Sequence, residues 1–370
     1  MDLQYAFSCE GVTGQPIYSR VTLRSLHIDA GRSWRGGQRQ VFLLATSFRA
    51  QGREPLVVGV GGSPLLERLQ SAGIATASVP MRSDWDLRSA KRLRSIVRAW
   101  HPDILHAHDA RAHAISLIAL AGDATPLVVT RRVTFPLKSV RVKYGLRVSR
   151  FIAISNAVKR AMIRSGVDEQ RIEVVHSGVP APVASAPRDW RKELGWSRDV
   201  VIAGVVGAMT SEKGTDALRP IAEQLSDDAI ACTRVVLMGG EARGPTRLGP
   251  LKAHQAGFVT EVHNGMAGLD ILWHPAREEG LGTVLIDALG LGVPPVAFDV
   301  GGVGEIVVSG ENGLLVPSGD SRSFALAHES LLDVSLRSRL AANGPVRAAQ
   351  FSVESMTDGV ERVYQDVLTA

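Results

Sequence analysis

The chain has 370 residues, 45% hydrophobic and 21% charged, and carries a formal net charge of +5. That length suffices for two domains of ordinary size, each with its own core, and the composition excludes a fibre. No stretch approaches the roughly 18 to 20 consecutive apolar residues that span a bilayer and the first twenty residues hold no apolar leader core, so a cytosolic location is expected.

Cys9 and Cys232 match no metal or redox spacing, which fits a reducing compartment. The positive charge is unevenly placed, because residues 1–185 carry roughly 26 Lys and Arg against roughly 13 Asp and Glu, leaving the remainder acidic. The N-terminal half is therefore the one suited to anions, whether a phosphorylated acceptor or an anionic membrane surface. Nucleic acid is set aside, since that half has only scattered aromatics and no recognised binding motif.

In chain order, short apolar runs at 23–28, 56–60, 104–107, 127–130, 151–154 and 172–175 read as strands, with helix-period segments between most of them. Such alternation predicts stacked βαβ units and a parallel sheet covered by helices. A stretch rich in Pro, Ala and Ser at 178–187 reads as a linker. Alternation then resumes at 200–206, 234–238, 271–273, 295–298 and 314–316, predicting a second open α/β unit, and a helix at 352–368 follows that could cross onto the first. The expected architecture is α/β, two Rossmann-like doubly wound domains, 1–180 and 181–351, facing a central cleft, with 352–370 returning to the first. Ligands in such sheets lie outside the carboxyl ends of the strands.

Several residues sit at those strand ends. Gly36 and Gly37 lie in a loop after the first strand, where paired glycines let backbone approach a ligand. His106 and His108 end the strand at 104–107; a metal site there is the weaker reading, since no third ligand has convincing spacing. Thr130, Arg131 and Arg132 end another strand, and Lys138, Arg141, Lys143 and Arg147 space cations along a helix-like segment that could meet an acceptor phosphate or headgroups.

The most informative stretch is PAREEGLGTVLIDALGLGVPPVAFDVGGVG, residues 275–304. Glu279, Gly280, Leu281 and Gly282 follow a strand and lead into a helix, whose unpaired first-turn amides suit a phosphate. Glu279 and Asp287 flank this feature at E-x7-D spacing, and carboxylates accept hydrogen bonds from the hydroxyls of a sugar or ribose. A dinucleotide fingerprint fails where it would be expected, because Gly59-Val60-Gly61-Gly62-Ser63-Pro64 ends in proline, and no Walker loop is present.

This segment resembles the donor-binding signature of the family 4 (group 1) glycosyltransferases of GT-B fold, usually E-G-F-G with a second Glu eight residues after the first. VGAMTSEKG at 206–214, which follows a strand and opens a helix, is similar to the family's glycine, Arg and Lys-Gly arrangement, and residues 29–38 to its Gly-Gly loop. The resemblance implies a retaining transferase that takes a sugar from a nucleotide diphosphate sugar. It assigns Glu279 and the amides of Gly280, Leu281 and Gly282 to the sugar and diphosphate, Asp287 to the ribose, Lys213 to the leaving phosphate, Gly36 and Gly37 to donor contact and His108 to the transferred sugar. Arg131 and Arg132 go to the acceptor side. Two positions depart from the family: Ala208 stands where Arg is common, and Asp287 is shorter than Glu by one methylene.

Residues 34–40 and 130–132 look most like cell-envelope enzymes such as those of lipopolysaccharide assembly, which implies a glycan or lipid-linked acceptor and peripheral contact with the inner face of the membrane. The resemblance implies no cofactor and no metal, since Lys213 and the amides neutralise the leaving group. The alternatives are a same-fold sugar-nucleotide epimerase or phosphorylase, or a non-catalytic nucleotide-sugar-binding homologue.

Overall fold

The computed structural model describes residues 22–136, 145 and 147–370; Lys138, Arg141 and Lys143 lie outside them. The first lobe is built on β1 (Arg24–Ile28), β2 (Glu54–Gly59), β3 (Ala75–Ser78), β4 (Ile104–Ala107), β5 (Leu127–Arg131), β6 (Arg150–Ala153) and β7 (Ile172–Val174). Their order across the sheet is β3-β2-β1-β4-β5-β6-β7, every pair parallel. The central strands are near-continuous apolar runs, as burial on both faces of a parallel sheet requires.

The second lobe contains β8 (Val201–Val206), β9 (Thr233–Met238), β10 (Gly244–Leu248), β11 (Leu251–Gly257), β12 (Ile271–His274), β13 (Pro295–Phe298) and β14 (Leu314–Val316). Here the order is β10-β11-β9-β8-β12-β13-β14, parallel except for the antiparallel β10–β11 pair. The sequence reading contained neither β3 nor the β10–β11 hairpin. Both β3 and β10 are sheet-edge strands, and β3 is Ala-Thr-Ala-Ser, half exposed, without the apolar run that marks an interior strand.

In each sheet the strand order reverses beside the first strand of the unit, between β1 and β4 and between β8 and β12. Such a reversal opens a crevice at the carboxyl ends, because the loops there leave in opposite directions. The segments after β1, β4, β8 and β12 are the ones that carry Gly36 and Gly37, His108, Lys213 and Glu279.

The chain passes between lobes side by side at two points. Val179 N donates to Phe351 O at 2.9 Å, and Val179 forms a bridge with Ser352. Ser352 then caps the helix Val353–Thr369, accepting from Ser355 N at 3.1 Å. Val353, Met356, Val360, Val363 and Tyr364 recur at helical spacing and bury against Leu44, Phe48, Ile104, Val128 and Ile152 of the first lobe. Tyr364 is fully buried and its hydroxyl is 2.7 Å from His106 Nδ1.

Replacing Tyr364 by Phe strands that imidazole nitrogen in the core. A loss of roughly 1–3 kcal/mol is expected, read as a lower denaturation midpoint in urea. An unchanged midpoint would show that the hydrogen bond contributes nothing.

Candidate functional site

Glu279 follows β12 and has a side chain only 13% exposed. Lys213 Nζ donates to its Oε2 at 2.6 Å, and His274 Nε2 lies 3.4 Å from the same oxygen. Burial pushes the Glu279 carboxyl up, but His274 and the Lys213 ammonium outweigh it and hold the group at about 2. It is therefore a carboxylate at neutral pH. Lys213 does not open a regular helix as the sequence reading has it. It ends a 3-10 turn, Ser211–Lys213, and the helix Leu218–Ala222 starts later, because Gly214 takes a left-handed conformation with φ 74° that interrupts the spiral.

At Gly280 the lobes meet backbone to backbone. A β-carbon there would sit 2.1 Å from the carbonyl oxygen of Arg132, and Ser155 Oγ donates to Gly280 O at 2.7 Å. Gly282 caps the helix Thr283–Gly290, with no side chain closing that end and no acid in its first turn. Its leading amides are thus available to an anion. Leu281 is 1% exposed and packs in the core, so only its main chain can meet a ligand.

Asp287, on the same helix, is 4% exposed, so its carboxylate is turned away from open solvent. Arg39 of the first lobe reaches its Oδ2 at 3.2 Å, and His263 Nε2 lies 3.4 Å from Oδ1, an oxygen without a hydrogen bond. Asp287 therefore faces the other lobe, already engaged by a cation.

Across the cleft, Gly36 and Gly37 are not a loop but the first two residues of the helix Gly36–Ala50. Neither takes a positive φ, so nothing there breaks a helix, and Arg35 precedes them without a side-chain cap. A β-carbon at Gly37 would lie 3.7 Å from Arg132 Cδ. Arg131 projects differently and donates to Phe135 O. Arg147 holds the carbonyls of Asp123 and Thr125, a structural task that removes it from the row of cations read in the sequence.

His106 and His108 are buried beside a third histidine that spacing missed. His27 of β1 is the register partner of His106 in β4, and its Nδ1 is 3.0 Å from His108 Nε2. Burial pulls His27 down to about 3 and the other two well below the usual range, with Arg132 and the neighbouring imidazoles adding to the effect on His106 and His108, so all three are neutral. Their ligand atoms lie within 4.8 Å of one another, the spacing of a candidate metal cluster. The nitrogens are nevertheless joined into hydrogen bonds: Ser25 Oγ to His27 Nε2, His27 to His108, and His106 to Tyr364 and Thr130. Only His108 Nδ1 is left over. A small cavity lined by Gln40, His106, His108, Thr130, Arg132 and Ser177 adjoins it.

Glu305 was also missed. It reaches from the second lobe to the start of the helix Asn156–Arg164, accepting from Asn156 N at 2.9 Å, Ala157 N at 3.0 Å and His176 Nε2 at 2.9 Å. Burial raises its carboxyl, but these donors prevail and bring it to about 2. Its contribution to stability is then complete above the usual value of 4.5 and fades as pH falls toward about 2. Glu305→Gln is expected to lower the unfolding midpoint most at neutral pH, with the gap from wild type closing below pH 4.5. A gap independent of pH would overturn this assignment.

Residues 34–181 match the family Glycosyltransferase Family 4, and residues 200–334 match Glycosyl transferases group 1. The chain is 29% identical over 286 residues to a D-inositol 3-phosphate glycosyltransferase of Rhodococcus opacus, a match covering 72% of this chain and 62% of that protein's length. It is 28% identical over 362 residues to a phosphatidyl-myo-inositol mannosyltransferase of Mycobacterium leprae, covering 90% of this chain and 94% of the relative. In fold it is similar to Anabaena Alr3699/HepE solved in complex with UDP, with TM-score 0.81, 21% identity, and 93% and 100% of the two chains covered.

Proposed function

This chain belongs to the family 4, group 1 glycosyltransferases of GT-B fold, and from that premise we propose that it moves a sugar from a nucleotide diphosphate donor to a hydroxyl of a cell-envelope glycan or glycolipid, with retention at the anomeric carbon. The observation that carries this reading is the Lys213–Glu279 pair beside the uncapped helix start at Gly282. In the proposed reaction the bond between the anomeric carbon and the phosphate oxygen breaks, the acceptor oxygen bonds to that carbon on the same face, and its proton passes to the departing phosphate. The nucleoside diphosphate leaves with the bonding electrons.

On this reading Lys213 and the amides of Gly280, Leu281 and Gly282 neutralise charge that grows on the leaving group, which needs no metal and no separate general base. Glu279 receives sugar hydroxyls. Asp287 receives the ribose if Arg39 yields one oxygen or shares it. His108 offers its unpaired Nδ1 toward the sugar, with Gly36 and Gly37 opposite.

Screening nucleotide sugars by thermal shift tests the donor, since a ligand at a hundredfold its dissociation constant adds about 2.7 kcal/mol. Lys213→Ala is expected to lower turnover of the stabilising donor at least tenfold, about 1.4 kcal/mol of barrier. Unchanged turnover would remove Lys213 from the site, and donor turnover without any acceptor would favour an epimerase or phosphorylase.

A basic face of the first lobe supports an acceptor at an anionic membrane. The helix Leu87–Trp100 exposes Arg88, Lys91, Arg92 and Arg98 and contains no acid, while Leu87 at its start and Trp85 just before it are 68% and 70% exposed. Among the described residues no helix is long and apolar enough to cross a membrane. Binding to vesicles containing phosphatidylglycerol is expected, weakened by salt and by Trp85→Ala with Leu87→Ala. Equal sedimentation of that double variant would overturn this surface.

A further inference from the structure

Ala208 is exposed and carries no charge, and Lys213, the ammonium that the second lobe brings to Glu279, is already paired with that carboxylate. A nucleoside diphosphate with two or more negative charges needs more positive charge than this pair offers. The first lobe holds a cation in the opposite situation. Among the described residues no carboxylate lies within ion-pair distance of Arg132; its Nε is sealed from solvent without a partner, and its Nη1 has only Ser177 Oγ, at 3.4 Å.

The nearby acids attract it without touching it. Asp29 accepts from Gly31 N and Gln38 Nε2, and Asp109 accepts from Ala30, Arg111 and Ala112 amides. Burial lowers the Arg132 guanidinium to about 10, offset in part by those two acids, so it remains a cation at neutral pH. Arg132 is half-buried, and Asp29 and Asp109 attract it from beyond ion-pair distance, so among the described residues no carboxylate grips its fork. Arg132 stands between two backbone segments suited to phosphate: its side chain packs on Gly37 in the uncapped first turn of Gly36–Ala50, and its carbonyl abuts Gly280.

We infer that Arg132, read in the sequence with Arg131 as acceptor-side, is the second cation of the donor's diphosphate, supplied from the lobe opposite Lys213 in place of the charge missing at Ala208. The inference rests on the donor reading above. A planar fork reaching across the cleft would also couple lobe closure to the presence of diphosphate, because the guanidinium finds its partner only when both lobes hold the same ligand.

The test is calorimetry with UDP, GDP, ADP, CDP and dTDP and with the corresponding nucleosides. For the diphosphate that wild type binds best, Arg132→Gln is expected to weaken affinity at least tenfold while leaving the nucleoside unchanged. Arg132→Lys should fall between, and adding Ala208→Arg to Arg132→Gln should restore part of the loss. If Arg132→Gln binds the diphosphate as wild type does and only the acceptor KM rises, the inference is wrong and the donor reading stands. If wild type binds none of the diphosphates, the donor reading itself falls and the inference with it.

Discussion

The loops of the two lobes touch backbone to backbone at Gly280, and most of the site's geometry depends on that contact. Any side chain there would collide with the Arg132 carbonyl, while the Gly280 carbonyl is held by Ser155 of the first lobe. Contact at this range fixes Glu279 on one side and the Arg132 guanidinium on the other without asking a flexible side chain to set the distance. Glu305 reinforces it by capping a first-lobe helix from the second lobe, a bond of carboxylate to amides that also satisfies a helix start.

Charge around the cleft is sorted by how well each group is answered. The three histidines are neutral and joined to one another or to hydroxyls. Asp29 is pushed up by burial and by Asp109, with Gln38 and the Gly31 amide pulling against them. Lys213 is 39% exposed, so its pairing with Glu279 is worth less than a sealed pair would be, and it can turn toward a stronger anion. Arg132 is half-buried and feels Asp29 and Asp109 only at a distance, with Ser177 Oγ as its hydrogen-bond partner.

The fold was legible because the interior strands of a parallel sheet must be apolar throughout and the loops that follow them must carry Gly, Ser and Asp. Residues 104–107, 295–298 and 314–316 read as strands at the bounds they have. Edge strands escape that logic: Ala75–Ser78 and Gly244–Leu248 face solvent and hold few apolar residues, so only pairing makes them strands. Helix starts were misread at Gly36 and at Lys213, since a short glycine pair or a single left-handed residue shifts a boundary that periodicity cannot locate.

Local composition by itself determined the two α/β units, the Glu279 to Gly282 turn before a helix and the presence of Lys213 in a glycine-bounded segment, because each depends on neighbours in the chain. Only the tertiary structure decided that His27 joins His106 and His108, that Arg39 engages Asp287, that Glu305 caps a helix of the other lobe and that Arg132 sits beside Gly37 and Gly280 with its Nε sealed and unpartnered. These partners stand 81, 248, 148 or more residues apart, or are defined by what is missing. Strand register and the meeting of two lobes set such distances, and no spacing along the chain encodes them.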